Sequence, residues 1–333
     1  MSLRTRTTLL ATALLGLGGL FLSASSSVDA QVASACAFEP TGSLKDRRVV
    51  DFDLAPTSFR FTSRSEDTTN TMRGSFDLGT ARFHVQAETI DATTPIRLTL
   101  EYASVVEFRD MDGDGRLGLG DDVVRELALP GAAGATLHSV PRMHAGSYET
   151  VARYPLNASA LLSGVAELRF IVLSEPATFA GEPHWPSRVF VEASVDNFPS
   201  ARNDTRLAVK VRQTGGANLT AASDEIVSEG PGGRLSYRWS RCVGRDGAML
   251  PVGPVVVEYP SGATPRTATV FALPYGDRIE HASSIGLSPG AVGPERFDMT
   301  SLLPSGNGLV FGTSAVAASA LVLVSAWRRI RGG

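Results

Sequence analysis

Apolar residues recur at every second position through the middle of this chain, and that period constrains the fold more than any other feature. In Ile96–Tyr102, Ile96, Leu98, Leu100 and Tyr102 alternate with Arg97, Thr99 and Glu101. Phe83, Val85 and Ala87 repeat the pattern, as do Val189, Val191, Ala193 and Val195. Leu207, Val209 and Val211 follow, then Leu235, Tyr237 and Trp239. Successive side chains of a strand point to opposite faces, so each segment buries one face and wets the other. This is the signature of antiparallel sheets packed as a sandwich. Turn-formers punctuate the runs: Asp77-Leu78-Gly79, Pro130-Gly131, Gly215-Gly216 and Gly230-Pro231-Gly232-Gly233. Helical periodicity is nearly absent. Only Asn157–Leu162 and Asp121–Leu127 offer a short helical turn each.

The two ends read differently. Arg4 and Arg6 precede an apolar run, Leu9 to Leu22, and Val28 and Ala30 place small residues before Gln31. That order predicts a cleaved signal peptide over residues 1–30. Gly308 to Trp327 is uncharged throughout, and Arg328, Arg329 and Arg331 follow at once. Twenty helical residues cover the ~30 Å apolar core of a bilayer. The flanking arginines orient the tail toward the cytoplasm. The expectation is a single-pass protein at the cell surface or plasma membrane. Its N-terminal bulk is extracytoplasmic, its partners are the membrane and an extracellular protein or glycan, and the tail is short.

Composition supports this reading. With 43% hydrophobic and 20% charged residues, the chain is neither disordered nor a polytopic membrane protein. Without residues 1–30 and 308–333 it keeps 26 basic and 33 acidic residues, a formal charge of −7. An acidic ectodomain argues against a nucleic-acid partner and favours cations. About 270 residues of β-structure exceed the ~100 of a single small sandwich. The predicted fold is therefore an all-β ectodomain of two antiparallel β-sandwich-like domains, plus a C-terminal transmembrane helix. The predicted divisions are a leader over 31–45, sandwiches over 46–180 and 187–290, a stalk over 291–307, the span over 308–327 and a tail over 328–333. The proline-broken stretch Ser174–Ser187 serves as the linker. One elaborate sandwich is the alternative.

One motif carries chemistry. Residues 110–121 read Asp-Met-Asp-Gly-Asp-Gly-Arg-Leu-Gly-Leu-Gly-Asp. Asp110, Asp112 and Asp114 stand at positions 1, 3 and 5, Gly115 at 6, the Arg116 carbonyl at 7, Gly118 at 9 and Asp121 at 12. Calcium takes six to eight oxygen ligands, and carboxylates on alternate residues let a tight loop wrap them around one ion. The twelve residues resemble the EF-hand and dockerin type of calcium loop. That resemblance implies Ca²⁺ as a structural cofactor, with Asp110, Asp112, Asp114, Arg116 and Asp121 as ligands. Two departures stand out. Position 12 is Asp rather than Glu, and Val105-Val106-Glu107-Phe108 before the loop reads as a strand rather than a helix. A hairpin turn without an ion is the simpler alternative, because Asp and Gly suit turns.

Other signals are weaker. Only Cys36 and Cys242 occur, and an even pair outside the cytoplasm can bridge. Asn157, Asn203 and Asn218 open N-x-S/T sequons. Gly286-Leu287-Ser288-Pro289-Gly290 matches a nucleophile elbow, but Pro289 has no N–H for an oxyanion hole and no histidine follows Ser288. His84 reads as a surface residue of an alternating strand, and His184 as loop packing. Asp51 and Asp53 share a strand face, where solvated carboxylates are the common case. The chain thus reads as a calcium-binding surface protein for adhesion, envelope scaffolding or ligand binding, rather than an enzyme. The alternative is a secreted or envelope hydrolase acting on glycans, which needs paired acids in a cleft.

Overall fold

The computed structural model describes Cys36 and residues 46–287, apart from 91–93, 119, 141–145, 160–161, 180–181, 203, 216–217, 222–223, 231–232, 252–253 and 260–265. The signal, stalk, membrane-span and tail expectations all lie outside those residues. Among the described residues no helix is long and apolar enough to cross a membrane.

Over residues 46–287 every described element is a strand, and all their pairings are antiparallel. The first sheet begins with a meander of β1 (Arg48–Ala55), β2 (Ser58–Ser65), β3 (Asn70–Asp77), β4 (Arg82–Thr89) and β5 (Ile96–Arg109). Three later strands complete it: β13 (Arg206–Gly215) beside β5, then β19 (Arg266–Leu273) and β18 (Pro254–Tyr259). Strand β5 is long enough to hold two partners end to end. Ile96–Glu101 pairs with β4, and Ser104–Arg109 pairs with β6 (Asp122–Ala128). The second sheet follows the order β14 (Asn218–Ala221), β15 (Glu225–Gly230), β16 (Gly233–Arg245), β20 (Arg278–Leu287), β12 (Arg188–Asp196), β9 (Leu162–Leu173), β8 (Ser147–Ser159) and β7 (Thr136–Ser139). Strand β17 (Ala248–Pro251) pairs with the far half of β16.

The alternating apolar residues of both sheets meet in one core. Ile96, Leu98, Leu100 and Tyr102 are all buried, and so are Leu235, Tyr237 and Trp239. Phe170 of the second sheet sits among Phe59, Phe76 and Phe83 of the first, with ring centroids 5.1, 4.6 and 5.0 Å away. Trp239 meets Phe271 edge-on at 5.7 Å. Aromatic pairs at this spacing add to the apolar area they remove from water.

Three expectations require correction. The described residues form one sandwich instead of two, because each sheet draws strands from both sides of Ser174–Ser187 and one core runs between them. Alternation shows that a strand buries a face, but not which sheet covers it. The presumed linker holds a small hairpin, β10 (Ala177–Phe179) with β11 (Glu182–His184), and buries Trp185. Neither expected helical turn forms: Asp122–Ala128 is β6, and Asn157 and Leu162 belong to β8 and β9.

Cys36 and Cys242 are joined by a disulfide, with Cα atoms 5.2 Å apart. Cys242 is buried in β16 opposite Pro251, so the bridge ties Cys36 to the second sheet.

Candidate metal centre

The loop 110–121 joins β5 to β6 at one end of the first sheet. Its conformation follows from its aspartates and glycines. Asp110 accepts the Gly113 N–H at Oδ1 and the Gly115 N–H at Oδ2, both at 2.8 Å. The two glycines have φ of +76° and +77°, a left-handed backbone that other residues rarely adopt, and so their amides can turn back to Asp110. Asp112 Oδ1 accepts from Asp114 N at 3.1 Å, and Asp114 Oδ1 accepts from Arg116 N at 2.7 Å. Each of these two carboxylates therefore keeps a second oxygen outside the loop's own hydrogen bonds. Ligand oxygens of Asp110, Asp112 and Asp114 lie within 4.8 Å of one another. That is a donor set of hard oxygens suited to a divalent cation such as calcium.

Asp121 is placed differently. Its Oδ1 accepts from Met111 N at 2.9 Å and its Oδ2 from Gly118 N at 2.6 Å. It latches the end of the loop to its start and stands outside the three-aspartate cluster. Each of its oxygens accepts one loop amide, as the two oxygens of Asp110 also do. Leu117, the apolar position 8, packs on a small cluster of Val106, Phe108, Ala208, Val270 and Ala272 on the outer face of the first sheet. This contact pins the loop to rigid strands.

Sequence reasoning missed the charges that surround the loop. Arg206, the first residue of β13, places Nε 3.1 Å from Asp110 Oδ2. Its neighbour Arg109 meets Asp204 at 3.3 Å. Glu107 is wholly buried and accepts from Ser200 Oγ at 2.6 Å, Thr205 Oγ1 at 2.8 Å and Ala201 N at 2.9 Å. Burial alone would push its carboxyl up; these donors outweigh burial and hold it below the ordinary range. Glu107 thereby fastens the segment after β12 beside the loop, and Arg125 of β6 donates to the Pro199 carbonyl of the same segment. The partners of Glu107 lie 93 to 98 positions away in sequence and that of Arg125 lies 74 away, and no local motif announces them.

The remaining candidates are scattered. Asn157 is exposed near the end of β8, Asn218 opens β14, and Asn203 and Ser288 lie outside the described residues. Gly286 has a packing role, since a Cβ there would collide with the Ser187 carbonyl. His84 is exposed on β4, and His184 packs against Phe190 at 4.5 Å. Asp51 and Asp53 are both exposed, and Asp51 pairs with Arg64 at 3.2 Å. A surface hollow of about 380 Å³ on β2–β5 has no carboxylate in its lining. Comparison with known proteins finds no matching family model and no matching curated protein.

Proposed function

We propose that this chain is a membrane-anchored, extracytoplasmic calcium-binding β-sandwich protein that serves adhesion, envelope scaffolding or ligand binding at the cell surface. The convergence of Asp110, Asp112 and Asp114 on a loop fixed to rigid strands carries the calcium reading. The cation neutralises carboxylates that otherwise repel one another, and so fixes the β5–β6 connection and the segment clamped to it through Glu107. The role is structural and constitutive: extracellular calcium sites work at affinities of ~10⁻⁴–10⁻³ M, which suits a compartment where calcium is plentiful. The signal and span read from the two ends support the location, and the Cys36–Cys242 bridge suits an oxidising compartment.

Calorimetric titration of the ectodomain with CaCl₂ tests this. One equivalent of calcium should bind in that range, and Asp112→Asn should abolish it. Absence of binding at millimolar calcium would remove the calcium reading. Labelling of the ectodomain on intact cells by an impermeant reagent tests the location.

A further inference from the structure

The outer face of β2–β5 carries a groove whose chemistry differs from the rest of this acidic protein. Cross-strand register sets two polar rows side by side. One row is Arg60, Ser75, His84 and Thr99; the other is Thr62, Arg73, Gln86 and Arg97. Between them runs the inward-pointing row Phe61, Gly74 and Val85, so the floor of the groove is strand backbone. The two rows and this floor line the 380 Å³ hollow. Four strands at ~4.8 Å spacing make it about 15 Å long, running across the strands.

The charged residues lining the groove are all arginines, while the two rows continue onto β1 with the exposed Asp53 opposite Arg60 and Asp51 opposite Thr62. Arg60 stands at one end on β2, Arg73 on β3, and Arg97 at the other end on β5. Arg73 meets Glu88 at 2.7 Å. Elsewhere on this sheet Arg64, Arg82 and Arg212 are each paired with a carboxylate. Arg60 and Arg97 make no ion pair with any described residue, although the ectodomain has an excess of acids. Between the arginines stand hydroxyl and amide side chains. His84 Nδ1 lies 2.8 Å from Thr99 Oγ1, and partial desolvation of the ring on the strand surface, together with Arg82, pushes its pKa down, so the ring is a neutral hydrogen-bonding group at pH 7. Guanidinium forks match carboxylates in a bidentate manner, and neutral hydroxyl and amide groups match sugar hydroxyls. The lining offers no exposed aromatic ring on which a nucleobase could stack, which disfavours single-stranded nucleic acid.

We propose that this groove binds a linear acidic polysaccharide, its carboxylates held by Arg60 and Arg97 and its hydroxyls by the polar residues between them. Such binding gives a ligand class to the surface-binding function proposed above and rests on that function, but not on the calcium loop. Arg97 and Arg109 lie at opposite ends of β5, about 40 Å apart by strand rise.

The test is calorimetric binding of a galacturonate hexamer to the ectodomain in chelator, with a neutral maltohexaose as control. Chelator keeps the outcome separate from that of the calcium titration. The acidic hexamer should bind and weaken with added salt, and the neutral one should not bind. Arg60→Gln and Arg97→Gln should each weaken binding about tenfold, as expected for loss of a charge-assisted bidentate contact. Asp112→Asn should leave it unchanged. Both arginines are exposed, so the variants should keep the parent melting midpoint. Absence of binding, equal binding of maltohexaose, or parent-like binding by both arginine variants overturns the proposal. A short single-stranded DNA competing as strongly as the hexamer overturns the glycan assignment.

Discussion

The calcium binding proposed for the 110–121 loop would have a measurable thermodynamic consequence. A ligand that binds only the folded state stabilises it by RT ln(1 + [L]/Kd). At about 2 mM calcium and a Kd of ~10⁻⁴–10⁻³ M, this contributes ~0.6–1.8 kcal/mol. For a domain of this size each kcal/mol raises the midpoint by about 2–4 °C, so calcium should raise it by ~1–7 °C over chelator. The assay is thermal melting of the purified protein in chelator and in calcium. Asp112→Asn and Asp114→Asn each remove one charge from a cluster with oxygens within 4.8 Å. They should abolish the calcium-dependent rise and leave the midpoint in chelator unchanged or slightly higher, because repulsion is relieved. Arg206→Gln works in the opposite sense. It removes the cation beside Asp110, lowering the midpoint in chelator while tightening calcium binding. Equal midpoints in chelator and calcium for the parent, or a full calcium response from Asp112→Asn, would refute the assignment.

Further outcomes follow from the core and the bridge. Phe170→Ala removes the ring that three phenylalanines of the opposite sheet surround, and should cost ~3–5 kcal/mol in denaturant unfolding. The Cys36–Cys242 bridge closes a separation of 206 residues, for which chain entropy predicts about 5 kcal/mol as an upper value. Urea unfolding of Cys242→Ser, or of the reduced parent, should show a loss of several kcal/mol. His281 is buried, with Nε2 2.9 Å from the Ser240 carbonyl, and burial pushes its pKa down to about 4. Its unfolded-state value is near 6.5, so the unfolded chain takes up the proton first as pH falls. The stability is complete above pH 6.5 and is lost progressively toward pH 4, by up to ~3 kcal/mol. Unfolding free energies of the parent and His281→Gln at pH 7 and pH 4 measure this, and the variant should show the smaller drop.

Much of the strand content was legible because period-two alternation reports a local fact, one face buried and one wet. The residues picked from it in β4, β5, β13 and β16 are buried as expected. Partner choice is not local. Tyr102 and Trp239 carry the same signal, yet one lies in a strand between β4 and β13 and the other between β15 and β20. The short segments 121–127 and 157–162 misled because a few residues fit either period. Sheet pairing then decides them, and β6 exists because β5 extends beyond β4 and offers an open edge.

The site divides in the same way. The sequence alone determined the loop, since Asp at alternate positions and Gly at positions 4 and 6 dictate which amides turn back to which carboxylates. Those contacts span at most ten residues. Tertiary structure decided what surrounds it. Arg206 reaches Asp110, Glu107 gathers the segment around 200–205, and Leu117 settles on the outer face of the sheet. The groove on β2–β5 is likewise a product of register, which brings Arg60, Arg73 and Arg97 from three strands onto one face. Spacing along the chain fixes a turn because its atoms are already tethered. Contacts between strands depend instead on which edges and faces remain to be covered once the core has formed.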